Sequence, residues 1–161
     1  IIKVLARLKN SGWRYWWLVV IIFLCDLSTK WCAEYCLSVG QSLHLLWCFN
    51  LTLVYNTGAA FSLLNNGLAW SNLLLSIVAT IIVIIIMWRL YYNSNSSSEN
   101  FALAMIVGGA LGNLVGRLYS HHVVDFLDVA VANWHWPIFN FADMMICCGA
   151  GLLCKNISTG E

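Results

Sequence analysis

Charge is what this chain lacks. Asp, Glu, Lys and Arg make up 9% of its 161 residues, against about a quarter in an ordinary soluble domain. A water-soluble globular domain is excluded on that ground. Eight basic residues against seven acidic ones leave a net charge of +1, too little to attract nucleic acid or to keep a charged tail disordered. Proline occurs once, so almost nothing interrupts long helices. Local signatures of metal and serine hydrolases are missing too: there is no H-E-x-x-H, C-x-x-C or G-x-S-x-G, and no phosphate-cradling glycine loop. What the chain has is 61% hydrophobic residues, eleven glycines and nine tryptophans, a composition for close-packed membrane helices with aromatic anchors at the interfaces.

Four stretches come near the roughly 20 apolar residues a spanning helix needs. They run over residues 15–37, 68–90, 101–118 and 138–153. Trp70 and Trp88 flank the second as belt residues, and Asn93 to Asn100 forms a polar turn after it. Six of the eight basic residues (Lys3, Arg7, Lys9, Arg14, Arg89 and Lys155) fall on one side, leaving Lys30 and Arg117. The positive-inside rule then puts both termini in the cytoplasm and the loops of residues 38–67 and 119–137 outside. The first span is read as retained, because Asp26 and Lys30 interrupt its end and no small-residue cleavage site follows. Within the first outer loop, Leu51 to Tyr55 alternates and favours a strand. The expected fold class is an all-α membrane protein, four transmembrane helices with a small extracytoplasmic sheet-like element, in one domain over residues 1–161.

Ionisable groups in spans are costly, about 2.5–3.5 kcal/mol each on the insertion scale, and mark partners or function. Asp26, Lys30, Asn113, Arg117 and Asp143 all sit toward the outer ends of their spans. Asp26 and Lys30, four apart, suit an internal ion pair with Lys30 snorkelling outward. Gly108, Gly112 and Gly116 form a close-approach stripe beside Gly109, Asn113 and Arg117. Asp125 lies in an outer loop whose apolar neighbours Val123, Val124, Phe126 and Leu127 would dock it against the membrane near Asp143, which shares a face with Asn140. Two carboxylates in a partly dry site share one proton, and the pair can activate water and protonate a carbonyl without metal.

Metal hydrolysis through His121, His122, Asp125, His135 and Asp143 competes, but their spacing matches no known ligand pattern. The seven cysteines are read mostly as small apolar fillers, with a bridge among Cys32, Cys36 and Cys48 geometrically open. Rival classes are a small proton-coupled transporter, disfavoured because the acids crowd one leaflet, and a noncatalytic assembly factor.

Five blocks resemble the bacterial lipoprotein signal peptidases, the signal peptidase II family. They are Asp26-Leu27-Ser28-Thr29-Lys30, Asn56-Thr57-Gly58-Ala59-Ala60-Phe61, Gly108-Gly109-Ala110-Leu111-Gly112-Asn113, Val123-Val124-Asp125-Phe126 and Phe139-Asn140-Phe141-Ala142-Asp143. Their order and separations agree over nearly the whole chain. The resemblance implies an aspartic endopeptidase of the bacterial cytoplasmic (inner) membrane with its site at the outer leaflet. Such an enzyme removes signal peptides from prolipoproteins, cutting before the diacylglyceryl-modified cysteine. It further implies Asp125 and Asp143 as the catalytic pair, Asn113 and Asn140 lining the site, and Asn56, Gly58, Arg117, Asp26 and Lys30 in support. Membrane lipids and globomycin-type inhibitors are the implied partners, with no cofactor, no metal and no nucleic acid. A short sheet cradle and an interfacial helix in the first outer loop are implied as well. One departure stands out: the family pattern ends span three with an acid before the arginine, where this chain has Gly116-Arg117. Activity is expected to survive, with Asp128 or Asp26 compensating the arginine.

Overall fold

The computed structural model describes residues 12–58, 69–92, 96–131 and 134–159. A 3-10 turn, Gly12–Tyr15, leads into α1 (Trp16–Cys36), followed by β1 (Ser42–Leu46), β2 (Phe49–Asn56), α2 (Ala69–Tyr92), α3 (Ser97–Tyr119), β3 (Val123–Val131), β4 (Trp134–His135) and α4 (Phe141–Thr159). The chain is mostly helical. Three helical segments, Gly12–Cys36, Trp70–Tyr92 and Ser97–Tyr119, are long and apolar enough to cross a membrane. With 19 residues, α4 is about 28 Å long at 1.5 Å per residue, close to the hydrocarbon thickness, but its last turns carry Lys155, Asn156 and Ser158. Lys3, Arg7 and Lys9, Ala59, Ala60 and Phe61, and the implied interfacial helix of the first outer loop lie outside the described residues.

Helix α3 is the centre of the bundle and the most buried of the three apolar helices. Its glycines explain why. A Cβ at Gly109 would come within 2.5 Å of the Ala142 carbonyl on α4, and one at Gly112 would fall on the Asp26 carboxylate of α1. These two positions let the backbones of three helices meet where the polar residues are. Helix α2 packs chiefly on α3; Ile81, Ile84 and Ile85 are more than half exposed, as are Trp70 and Trp88 near its ends. Two hydroxyls on these helices close onto carbonyls one turn back, Thr29 onto Cys25 at 2.9 Å and Thr80 onto Ser76 at 2.7 Å, the pairing an apolar surrounding requires.

Two elements depart from the sequence expectation. The end of the polar stretch expected after α2 is helical, because Ser96 accepts from the Glu99 amide at 3.1 Å and starts α3 at Ser97. The segment carrying Asp125 is not a loop but β3, part of a four-stranded antiparallel sheet in the order β1-β2-β3-β4. In it Val54 pairs with Asp125 and Asn56 with Val123. The run Val123-Val124-Asp125-Phe126-Leu127-Asp128-Val129-Ala130-Val131 is rich in β-formers, and that signal was available. The sheet seats on the end of α1 through Ala33, Leu37, Leu53, Val124 and Phe126.

Candidate active site

At one end of the bundle the polar side chains of α1, α3, α4, β2 and β3 form one hydrogen-bonded cluster. It starts at Asp26, wholly buried, whose Oδ2 receives the Lys30 Nζ at 2.6 Å and whose Oδ1 receives the Ala142 amide at 2.9 Å. The acid thus satisfies one of the orphan N–H groups opening α4. Lys30 does not snorkel outward: it is buried and donates a second bond to Asn113 Oδ1 at 2.8 Å. With its oxygen held by Lys30 and by Asn140 Nδ2 at 3.2 Å, Asn113 has only its NH2 left for Asp143, reaching Oδ1 at 2.8 Å.

Asn140 joins the two acids expected to pair. Its Nδ2 donates to Asp125 Oδ1 at 2.7 Å. Its Oδ1 accepts from the Asp143 amide at 3.0 Å, while its own amide donates to Asp143 Oδ2 at 3.3 Å. The reciprocal pair is a capping box with Asp at the third helical position, so the device that starts α4 also fixes Asp143 beside Asp125. The sequence reading placed Asn140 and Asp143 on one face but missed the cap, although Asn followed three residues later by an acid ahead of an apolar run signals it. The second oxygen of Asp125 receives Asn56 Nδ2 at 2.9 Å, and Asn56 Oδ1 accepts the Gly58 amide at 2.9 Å, a local turn of the Asx kind.

Asp125 and Asp128 lie three residues apart on one strand, yet their environments split them. Burial, reinforced by the charge of Asp143, pushes Asp125 up to about 6 against the donors Asn56 and Asn140 and the charge of Lys30. Asp128 is also pushed up by burial, but His135, Thr52 and Asn50 hold it below the usual carboxylate range; His135 Nδ1 lies 3.1 Å and Thr52 Oγ1 2.9 Å from its oxygens. Asp125 therefore changes charge near neutral pH and Asp128 does not.

A folded-state value of about 6 against 3.8 unfolded means that the native protein holds the Asp125 proton more tightly. Stability should fall as pH rises from about 4 to about 6 and level off above. Melting temperatures across that range, compared with those of Asp125→Asn, check this: the variant should lack that part of the slope, and an unchanged slope would assign the titration elsewhere.

Arg117 lines the same region and is loosely held. Its Nη atoms lie 3.5 Å from the Asn113 and Gly58 carbonyls, and its buried Nε–H meets no acceptor among the described residues. The charges acting on it are Asp143 and Asp125. The expected compensation by Asp128 or Asp26 is not found, because those acids are taken up by His135 and Lys30. At Gly116 a Cβ would come within 2.9 Å of the His122 carbonyl, for the chain turns back there through His121 at φ 61°. Asn72 braces that turn from α2, donating to the Arg117 and His121 carbonyls at 3.3 and 3.1 Å; the sequence reading did not single it out.

Other candidates stay apart from this cluster. His122 lies tilted against the Tyr55 ring, and His135 belongs to Asp128. All seven cysteines are free thiols, so the open possibility of a bridge among Cys32, Cys36 and Cys48 is not realised.

A cavity of about 760 Å³ opens beside the cluster. Asn113, Arg117 and Asp143 form its polar end, and Leu75, Val78, Ile82, Ile106 and Ala110 are among the apolar residues lining the rest between α2, α3 and α4. The arrangement presents Asp143 and a cation to one end of an apolar groove, with Asp125 joined to Asp143 behind them through Asn140.

The family model described as Signal peptidase (SPase) II matches residues 18–158. A lipoprotein signal peptidase of Photorhabdus laumondii is 41% identical over 145 residues, 89% of this chain and 87% of its own. One from Francisella tularensis subsp. tularensis is 42% identical over 142 residues, 87% of this chain and 88% of its own. Two solved structures, each described as a bacterial membrane enzyme determined by the in meso method, superpose with TM-scores of 0.77 and 0.75. Their sequence identities are 27% and 26%, covering 89% and 86% of this chain and 88% of each of theirs.

Proposed function

This chain belongs to the signal peptidase II family, and from that membership we propose that it is an aspartic endopeptidase of the bacterial inner membrane that cleaves prolipoproteins before their diacylglyceryl cysteine. In this reading α4 crosses the membrane with the other three helices, both termini are cytoplasmic, and the cluster lies at the outer leaflet. The observation that carries it is Asn140: one residue hydrogen-bonds both Asp125 and Asp143, and Asp143 lines the polar end of an apolar groove.

The chemistry follows from that geometry. Asp125 and Asp143 share one proton and hold a water. The ionised carboxylate takes a proton from the water as its oxygen adds to the scissile carbonyl, while the protonated one donates to the carbonyl oxygen. When the tetrahedral intermediate collapses, the C–N bond breaks and the proton taken from water passes to the departing amine. Asn113 and Asn140 orient the acids, Asn56 and Gly58 hold the turn over Asp125, and Arg117 offers its unmet donors to carbonyl or ester oxygens of the substrate. Asp26 and Lys30 anchor the helix ends from which Asn113 and Asp143 project. The apolar part of the groove takes the hydrophobic stretch of the signal peptide, and globomycin-type inhibitors would compete for it. The apolar lining between α2 and α3 also argues against a transporter, which needs polar groups through the midplane.

The test is to incubate the purified detergent-solubilised protein with a prolipoprotein, with and without the diacylglyceryl group. A mobility shift is expected for the lipidated form and little or none for the other. Equal cleavage of both forms, or cleavage of neither, would refute the substrate assignment.

A further inference from the structure

Residues 38–52 contain no Asp, Glu, Lys or Arg. They include β1, an edge strand of the sheet, exposed at every position. Exposure rises toward the hairpin tip: Leu43 and Leu45 are each 48% exposed, Leu46 65% and Trp47 87%. Edge strands that face water are normally guarded by charge, and this one is not. Pairing with another edge is disfavoured as well, because the register of β1 shifts between His44 and Leu46 and such irregularities twist an edge away from a partner. The apolar side chains are concentrated at a tip, a shape for insertion rather than for flat pairing.

The hairpin is also held at the height of the helix end. Five residues join α1 to β1, in a turn where the Gly40 amide bonds to the Leu53 carbonyl at 2.8 Å and the Ser38 amide to Gln41 Oε1 at 2.9 Å. Just before that turn, Trp31 and Tyr35 stack on one exposed face of α1, their ring centroids 5.8 Å apart, where a membrane-interface belt belongs. The uncharged hairpin continues that belt sideways.

We propose that the β1–β2 hairpin tip, with Leu45, Leu46 and Trp47, inserts into the acyl–headgroup boundary of the leaflet that borders the Asp125–Asp143 end. It is a second membrane anchor besides the helices. Because β2 pairs directly with β3, the anchor fixes the depth of Asp125 relative to the lipid surface. The occupant is phospholipid, not a second copy of the chain.

The full chain is reconstituted in vesicles of phosphatidylethanolamine and phosphatidylglycerol, with or without phospholipid brominated near the top of the acyl chains. Subtracting the fluorescence of Trp47→Phe from that of the unaltered protein isolates Trp47, and Trp31→Phe gives the belt reference. The brominated lipid is expected to quench the Trp47 share by about half or more, as it does Trp31, while aqueous iodide leaves it untouched. Quenching by iodide alone would overturn the anchor, and so would shielding from both quenchers accompanied by a dimer. No substrate is needed, so this result is independent of whether the protein cleaves prolipoproteins.

Discussion

Asp143→Asn and Asp125→Asn are each expected to lower prolipoprotein cleavage by at least about 10³-fold while the protein stays folded in detergent. The two substitutions remove the same chemistry from different surroundings. Asp143 stands partly open at the cavity, receiving Asn113 Nδ2 and the Asn140 amide. Asp125 is buried between Asn56 and Asn140, which occupy one oxygen each. An amide at either position can neither accept the proton of the water nor return one. At either position it also turns an NH2 toward a donor, so both variants should lose some stability; at position 143 the other half of the helix cap survives through Asn140 Oδ1 and the amide of residue 143. The measurement is the initial rate of the mobility shift, with a thermal melt on the same sample. Near-normal turnover in either folded variant would remove the shared-proton mechanism, and a loss confined to the Asp125 variant would make that acid work alone.

Much of this site could be read before any coordinates. Ionisable residues do not collect at one end of apolar spans by chance, and the five blocks contain the residues that meet. The hidden part concerns who holds whom. The separation of four residues predicted the Asp26–Lys30 pair, but only the packing of α1 on Gly112 reveals that Lys30 turns inward to Asn113, 83 positions away. Periodicity could not foresee this, because lysine in a span ordinarily reaches for water. Asp128 illustrates the opposite limit. It shares a strand with Asp125, and only the placement of β4 brings His135 to it and separates a quiet acid from one that titrates near neutrality. The strand itself was legible in the β-formers of Val123 to Val131, although an outer loop is what the sequence reading gives there; pairing with β2 decides for the strand.

Those hidden contacts make Lys30→Met the most damaging change away from the acids themselves. It leaves Asp26 wholly buried and ionised without its partner, and loss of one member of a buried pair costs about 3–5 kcal/mol. It also releases Asn113 Oδ1, keeping only the longer bond from Asn140 at 3.2 Å, so the amide can rotate and turn its oxygen toward Asp143. Stability and rate should therefore fall together. Adding Asp26→Asn removes the stranded charge, and the double variant should recover much of the melting temperature. Cleavage should stay low, because only the longer bond from Asn140 then holds the Asn113 amide. Full recovery of both properties would mean that Lys30 serves only to neutralise Asp26. A melting temperature unmoved by Lys30→Met would show that Asp26 reaches water or a proton that the packed helices do not provide.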